Sequence, residues 1–490
     1  MRTLRAWLLV LTLSSTALAG CITLPSAVTP AATLPDANAL GLPLPIAVDN
    51  VMLFAQSVVG PAIGTATDLY EPTMEVSNTG TLYVAGHTIL AATTGTPAYY
   101  SNDDGKTWAP LPFLLGLQTP PPGQGSQPPP GDEGFIVAGD NGQAWMADIY
   151  LAGFSITGWC DNGATQCYDN RNAYDRVGAT AARCHALNLN DRPWAAYANG
   201  KLLLVNNPGG GAMQIGIMDV PPATPVGIGG GLASVSGPTW NFCASEGGGI
   251  PGIPSMRADG LFAVPQTAGS GGEQVLTLVM GNAADIFAVE TKTLFPVTSA
   301  GAGTSNGGRT AFDAEGTLFV GIRNNTATVE DAASPLPILP GGQRRTVVDG
   351  QFILATSTDG GQTFRNATFS SVDKKPVQSL YLDGNMYGPG ALLVWSQVGD
   401  EEGRADWYVA HVFAGANGQP ELRNVTLALD EGEPYSAHVT GAAVGPDGRA
   451  YFLNFKSAPP AEYAGSTPIS VYVQQEGATL PITMAPAPSK

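Results

Sequence analysis

The segment SNDDGKTW at residues 101–108 places two adjacent carboxylates, Asp103 and Asp104, beside a serine and a lysine. Side chains of these types could carry acid–base or nucleophilic chemistry. A second copy, STDGGQTF, occupies residues 357–364. The copies share Ser-x-Asp-x-Gly-x-Thr and a following aromatic residue, whereas Asp104 is replaced by Gly360. We therefore interpret the carboxylate pair as incidental and the shared residues as the parts that the motif needs.

The shared residues suit a tight turn. Aspartate and serine side chains can bond to the backbone inside a turn, glycine permits a left-handed backbone, and the aromatic ring can be buried on the returning strand. We predict two structural turns and no catalytic residue within them. Their residues are Ser101, Asp103, Gly105, Thr107 and Trp108 in the first copy, and Ser357, Asp359, Gly361, Thr363 and Phe364 in the second.

A longer repeat indicates which elements hold these turns. A glycine, one variable residue and three mostly apolar residues recur at intervals of 56 to 74 residues. Several of the glycines follow Asn or Asp, as hairpin turns with positive φ require. Each glycine is therefore predicted to begin the second strand of a four-stranded unit. The seven positions are Gly80, Gly142, Gly200, Gly260, Gly316, Gly390 and Gly448.

Units of about 60 residues with short strands and no amphipathic helix predict an all-β fold, a β-propeller of four-stranded antiparallel blades. Seven blades are favoured. Six is the alternative if Gly260 or Gly390 does not mark a blade, and an array of β-sandwiches is the competing fold. The SNDDGKTW turn falls between the third and fourth strands of its unit. Residues 46–59 are expected to add a strand that latches the ring against the last blade.

The two turns resemble the Asp-box, the repeat of bacterial neuraminidases that also occurs in many noncatalytic propellers. The resemblance covers two eight-residue segments directly, and the glycine repeat extends it loosely over residues 45–490. It implies that a sialidase would need three arginines for the substrate carboxylate, a Tyr–Glu pair from separate blades and an aspartate. The early Arg-Ile-Pro segment of that family is absent here. The candidate residues for an anion site in the central channel are Arg192, Arg257, Arg323 and Arg404.

The N-terminus indicates export. Arg2 and Arg5 precede an apolar run and small residues that end at Cys21, a pattern typical of a secretory signal peptide. The last four residues, LAGC, resemble the lipobox of bacterial lipoproteins, which implies that Cys21 is acylated and becomes the first residue. Several acyl chains make a stable anchor, at roughly 0.8 kcal/mol per buried CH₂. Because Ile22 follows the cysteine, the resemblance favours the outer over the inner membrane; a secreted protein with unmodified Cys21 is the alternative.

These features divide the chain into three parts: a signal peptide at 1–20, a lipidated tether rich in Pro, Ala and Thr at 21–44, and the propeller at 45–490. The chain has 22 Lys and Arg against 40 Asp and Glu, a net charge of −18, and removal of the signal makes it more acidic. An acidic surface repels nucleic acid and anionic headgroups, so we expect neither as a partner. Contact with the membrane is expected through the lipid only.

Four further cysteines, an even number in an exported chain, favour disulfides over metal ligation. Of the three possible connectivities we favour Cys160 with Cys167 and Cys184 with Cys243. Zinc would need tighter Cys or His pairs than this chain offers. We expect no metal and no cofactor.

The leading hypothesis is a monomeric, noncatalytic propeller, anchored in the bacterial cell envelope, that binds a protein or a glycan. The alternative is an exo-acting glycoside hydrolase of sialidase type. That alternative predicts that three of the four arginines named above converge beside a Tyr–Glu pair.

Overall fold

A computed structural model describes residues 43–48, 50–51, 54–58, 69–88, 98–112, 133–150, 153–170, 190–208, 213–220, 241–245, 249–270, 273–298, 308–330, 344–384, 386–401, 404–432, 441–455 and 469–474. Nearly all secondary structure in these segments is β-strand; two short 3₁₀ helices span Asp140–Gly142 and Val372–Lys374. The signal peptide, Cys21, most of the tether and Cys184 lie outside the described residues.

The strands form seven antiparallel blades, preceded by two N-terminal strands. The N-terminal strands are β1 (Asn50–Val51) and β2 (Phe54–Val58). Blade 1 comprises β3 (Leu69–Val76), β4 (Leu82–Thr88), β5 (Ala98–Ser101) and β6 (Ala109–Pro110). Blade 2 comprises β7 (Glu133–Ala138), β8 (Ala144–Tyr150), β9 (Gly153–Cys160) and β10 (Thr165–Asn170).

Blades 3 and 4 follow in the same order from the inner to the outer strand. Blade 3 comprises β11 (Asn190–Ala198), β12 (Lys201–Pro208), β13 (Met213–Asp219) and β14 (Asn241–Ser245). The inner strand of blade 4 is split into β15 (Gly249–Pro251) and β16 (Ser255–Met256). Its remaining strands are β17 (Leu261–Ser270), β18 (Glu273–Asn282) and β19 (Asp285–Thr298).

Blade 5 carries an additional hairpin between its second and third strands. The hairpin is β22 (Thr326–Glu330) with β23 (Arg344–Asp349). The blade itself comprises β20 (Arg309–Phe312), β21 (Leu318–Arg323), β24 (Gln351–Ser357) and β25 (Arg365–Ser370). Blade 6 comprises β26 (Val377–Gly384), β27 (Ala391–Val398), β28 (Ala405–Ala414) and β29 (Pro420–Gly432). Blade 7 has β30 (Ala442–Val444), β31 (Ala450–Phe455) and β32 (Ile469–Gln474), and its fourth strand is β2.

The repeated glycines do what their spacing predicted. Each of the seven stands in the turn before the second strand of a blade, with φ between +71° and +91°. Only glycine adopts this backbone without steric cost, so the residue recurs wherever the hairpin recurs. The prediction of seven blades is confirmed, and the alternatives of six blades and of stacked sandwiches are wrong.

The ring closes through its N-terminus. Strand β2 pairs with β32 in antiparallel register, with Phe54 opposite Gln474. Further toward the N-terminus, β1 pairs in parallel with β29 of blade 6, and Leu44 bridges to Phe369 on the outer strand of blade 5. The predicted latch within residues 46–59 is confirmed by β2, and β1 of the same segment pairs with the outer strand of blade 6.

Neighbouring blades pack face to face through apolar side chains. Between blades 1 and 2 lie Tyr83 and Trp159, and between blades 5 and 6 lie Phe352 and Trp395, all with at most 1% of their surface exposed. Burial of apolar area is worth about 25 cal/mol per Å², so these interfaces supply much of the stability of the ring.

The antiparallel order of each blade defines two ends of the ring. Connections from first to second and from third to fourth strands lie at one end, which we call the turn end; the other connections lie at the opposite, loop end. In the described segments no helix has the length and apolarity needed to cross a bilayer.

Candidate functional site

Both Ser-x-Asp turns lie between the third and fourth strands of their blades, as predicted, and their polar groups bond to one another. In blade 1 the Ser101 hydroxyl donates to Asp103 Oδ1 at 2.8 Å and accepts the Gly105 amide at 2.9 Å. The amide and hydroxyl of Thr107 donate to Asp103 at 2.8 and 2.7 Å. The Asp103 carboxylate is thus an acceptor inside the turn, with no role that requires a substrate.

The copy in blade 5 repeats this geometry. Ser357 donates to Asp359 at 2.7 Å and accepts the Gly361 amide at 2.8 Å. The hydroxyl of Thr363 donates to Asp359 at 2.6 Å and its amide at 2.9 Å. Together the hydroxyl and amide hold the pKa of Asp359 at about 2. A carboxylate this stable in its ionised form is a poor proton acceptor, which supports a structural role for both turns.

The interpretation of Asp104 as incidental is wrong, because this residue forms a contact between blades. The guanidinium of Arg449, in blade 7, donates from Nη2 to Asp104 Oδ1 at 2.7 Å. Arg449 also bonds to Asp447 in its own turn. Asp104 is therefore not incidental: it joins blade 1 to blade 7 next to the closure of the ring.

Two of the four arginines proposed for an anion site, Arg257 and Arg323, lie at opposite ends of the ring. Arg257 follows β16 at the turn end and donates to Asp259 at 2.9 and 2.6 Å. Arg323 ends β21 at the loop end, where its Nη1 donates to the carbonyl of Gln378. Arg404 lies in the connection from β27 to β28, and the side chain of Arg192, on β11, is outside what the structure describes. Arg257 and Arg323 are thus at opposite ends of the ring.

The structure instead shows a cavity of about 550 Å³ in the central channel, at its turn end. Small-molecule sites have volumes of roughly 300–1,000 Å³, so the cavity has the size of a binding site. Inner strands and turns of six blades line it, blades 1 to 6. Its aromatic side chains are Phe135, Tyr197, Phe312, Tyr381 and Tyr387, and its carboxylates are Glu75, Asp140 and Asp383.

Glu75 and Asp383 form the electrostatic centre of the cavity. Glu75 is near the end of β3 and Asp383 near the end of β26, on either side of the short inner strand β30. The Val444 amide of β30 donates to Asp383 Oδ2 at 3.0 Å. Burial, and then the negative charge of Asp383, raise the pKa of Glu75 well above its ordinary value. Burial raises the pKa of Asp383 to about 7, against the opposing effect of the backbone amides.

A tyrosine and an arginine accompany the two carboxylates. Tyr381 is 5% exposed, and burial together with the charges of Glu75 and Asp383 raises its pKa. The guanidinium carbon of Arg309 lies 5.7 Å from the centre of the Tyr381 ring, within the range of a cation–π contact. A tyrosine and a glutamate from separate blades thus come together in the channel, accompanied by an arginine that the sequence analysis did not propose.

The edge of the cavity is formed by turns. Tyr197 donates its hydroxyl to Asp140 Oδ2 at 2.8 Å, which links blade 3 to blade 2. Met386 is 53% exposed and adjoins Tyr387, whose pKa rises to about 12 through burial and then the charges of Asp383 and Glu75. An aromatic and apolar edge around an acidic centre can hold a ligand with both apolar faces and polar groups.

This cavity was not predicted from the sequence, although the sequence carries one signal of it. Tyr381 and Asp383 are two residues apart on β26, so their side chains point to the same face of the strand. Asp383 and Glu75 are charged residues within mostly apolar first strands, a few positions before a repeat glycine. Charges at that position are unexpected for a strand that packs at the centre of a ring.

The cysteines and the possible metal ligands are the other groups for which the sequence made predictions. A disulfide joins Cys160, at the end of β9, to Cys167 on β10, with Cα atoms 5.8 Å apart. The pairing of Cys184 with Cys243 stays a prediction, because Cys184 is outside the described residues. Over the described part of the chain no group of three or more His, Cys, Asp or Glu is placed to hold a metal ion.

Comparison with known proteins relates the chain to others through its fold. No family model and no curated protein matches it. Similar solved structures include polysaccharide lyase Uly1, with 9% identity and a TM-score of 0.48 over 86% of this chain and 97% of that one. An endosialidase of phage phi92 has 12% identity and a TM-score of 0.43 over 94% and 77% of the two chains. An intramolecular trans-sialidase from Ruminococcus gnavus has 12% identity and a TM-score of 0.38 over 84% and 96%.

Fold and site together define a class: an all-β, seven-bladed propeller with an acidic, aromatic-lined cavity in its channel. The likeness to the three enzymes is one of fold alone.

Proposed function

We propose that this protein is a noncatalytic propeller of the bacterial cell envelope that binds a carbohydrate in the channel cavity. One observation carries the proposal: aromatic rings and carboxylates from several blades line a single concave site of about 550 Å³. Sugars present apolar C–H faces, which stack on aromatic rings, and hydroxyl groups, which donate to carboxylates. A concave site of this size suits a sugar better than the flatter surface of a protein partner.

Binding can be measured by calorimetry with purified full-length protein in detergent and a panel of oligosaccharides. Tyr387→Ala removes a ring from the cavity and is expected to weaken binding about fivefold or more, since one buried aromatic contact is worth about 1–3 kcal/mol. Tyr387→Phe keeps the ring and is the matched control. Binding that is equal in both variants would contradict the proposed site.

The noncatalytic part of the proposal has its own test. Incubation of the protein with a bound oligosaccharide should release no new reducing ends. Release that disappears in Glu75→Gln or Asp383→Asn would instead identify the carboxylates as an acid–base pair.

One observation favours the sialidase-type alternative, the proximity of Tyr381 to Glu75 with Arg309 beside the tyrosine. An arginine cluster for a substrate carboxylate would need two more guanidinium groups there, and the two carboxylates repel an anionic sugar. We expect no hydrolysis of a fluorogenic sialoside. Turnover that is lost in Tyr381→Phe, with the fold retained, would favour the enzyme.

The cellular location is part of the proposal and rests on the lipobox-like sequence before Cys21. Labelled palmitate should be incorporated into the protein, and the protein should fractionate with outer membranes as a monomeric propeller. Cys21→Ser should abolish both labelling and membrane association. Labelling that persists in Cys21→Ser would place the anchor elsewhere.

A further inference from the structure

The polar side chains of the cavity have one sign of charge. Glu75 and Asp383 lie inside, Asp140 lies at the edge, and none of the described residues that line the cavity is Lys, Arg or His. Arg309 lies against the Tyr381 ring and is not among the residues that line the cavity. The chain as a whole has a net charge of −18, which raises the local concentration of cations at its surface.

We propose, on the basis of carbohydrate binding, that the sugar carries a free amino group and that Glu75 and Asp383 bind its ammonium. The two carboxyl groups come from different blades and line the same cavity, which gives the ammonium two acceptor groups. Rings of Tyr381 and Tyr387 line the same space, and aromatic faces attract organic ammonium groups.

The choice of an ammonium over a metal ion follows from the donor set. Hard divalent cations take six or more oxygen ligands, and Ca²⁺ in particular prefers several carboxylates and carbonyls. The described residues contain no group of three potential ligands, whereas two carboxylates within an aromatic wall suit a monovalent organic cation. Uronic or sulfated sugars would bring a further negative charge next to the carboxyl pair. Because like charges repel, we exclude them as ligands of this cavity.

The carboxyl pair also predicts how binding depends on protons. Two neighbouring carboxyls that line one confined cavity do not both ionise readily, so the pair retains a proton near neutral pH. An ammonium supplies the missing positive charge, and the retained proton then leaves. Binding of the aminated sugar should therefore release a proton, whereas binding of a neutral sugar should not.

The test compares oligosaccharides that differ only at the amino group. Glucosamine tetrasaccharide, its N-acetylated counterpart and the glucose tetrasaccharide are titrated into full-length protein by calorimetry at pH 6.5, in buffers of different ionisation enthalpy. The glucosamine oligomer should bind at least about tenfold tighter than the other two, as expected for a charge-assisted hydrogen bond. Only this oligomer should release a proton, visible as a dependence of the heat on the buffer.

Two variants locate the effect. Glu75→Gln and Asp383→Asn should each reduce the preference for the glucosamine oligomer over the glucose oligomer about tenfold. Asp430→Asn removes an exposed carboxylate on β29, far from the cavity lining, and should leave the preference intact. This control separates the pair from the general acidity of the chain.

Each outcome supports or overturns the inference. Equal binding of the three oligomers, lost in Tyr387→Ala, overturns the inference and leaves the proposed carbohydrate binding in place. A preference that survives both carboxylate variants also overturns it. Failure of every oligosaccharide to bind overturns the proposed function and the inference together.

Discussion

Replacement of Asp383 by asparagine tests the electrostatic description of the cavity. The folded-state pKa of Asp383 is about 7, against an ordinary value of 3.8. Between these pH values the folded protein binds more protons than the unfolded chain, so this carboxyl lowers the free energy of unfolding as pH rises. From pH 5 to pH 8 the loss is about 2–3 kcal/mol, at about 1.4 kcal/mol per pKa unit. Asparagine cannot ionise, and its Oδ1 can still accept the Val444 amide.

Urea denaturation of the wild type and of Asp383→Asn at pH 5, 6, 7 and 8 measures this effect. The quantity to compare is the difference in unfolding free energy between the two proteins, because other groups also titrate over this range. The difference should move by about 2–3 kcal/mol in favour of the variant between pH 5 and pH 8. Asp430→Asn, which changes an exposed aspartate on β29 that does not line the cavity, is the matched control variant.

A pH-independent difference for Asp383→Asn would refute the reasoning. It would show that the carboxyl ionises as readily in the folded protein as in the unfolded chain. In that case the cavity would be well hydrated and Glu75 would not sense Asp383. The proton release predicted for amine binding would then lose its physical basis.

Three further predictions concern stability. His411 on β28 is 3% exposed, neither ring nitrogen has a hydrogen-bond partner in the described structure, and burial lowers its pKa to about 4. The unfolded chain therefore binds more protons than the folded protein below about pH 6.5. In urea titrations, His411→Leu should stabilise the protein by about 2 kcal/mol more at pH 5 than at pH 8. An equal effect of the substitution at both pH values would contradict this prediction. A double-mutant cycle with Asp104→Asn and Arg449→Met should give a coupling energy of about 0.5–1 kcal/mol, and high salt should reduce it. A coupling energy near zero would show that this ion pair does not stabilise the contact between blades 1 and 7. Cys160→Ser with Cys167→Ser should lower the unfolding free energy by about 2–3 kcal/mol, as expected from the entropy of so short a loop, and unchanged denaturation would show that the bridge does not stabilise the fold.

Features that depend on residues close together in the chain were predictable from the sequence, and features that depend on distant residues were not. The turn at Ser101 and its copy at Ser357 were predictable because the hydrogen bonds among their shared residues join partners within four residues of each other. The seven repeat glycines were predictable because each meets a local requirement for positive φ. Their number and spacing were sufficient to identify the all-β fold and to count the blades.

Contacts between blades were not predictable in the same way. Asp104 looked incidental because Gly360 replaces it in the second copy, yet its partner Arg449 lies near the other end of the chain. The four arginines proposed for an anion site were chosen by their position near repeat strands. That choice could not tell the turn end of the ring from the loop end, and Arg257 and Arg323 lie at opposite ends.

The sequence alone thus determined the repeat, the strand order within a blade and the turn chemistry, because these depend on hydrogen bonds and φ angles among residues close along the chain. Only the tertiary structure decided where the site is. Glu75 of blade 1 and Asp383 of blade 6 flank the three-residue inner strand of blade 7. They meet because β2 completes blade 7 and closes the ring, which brings the two ends of the chain to one channel.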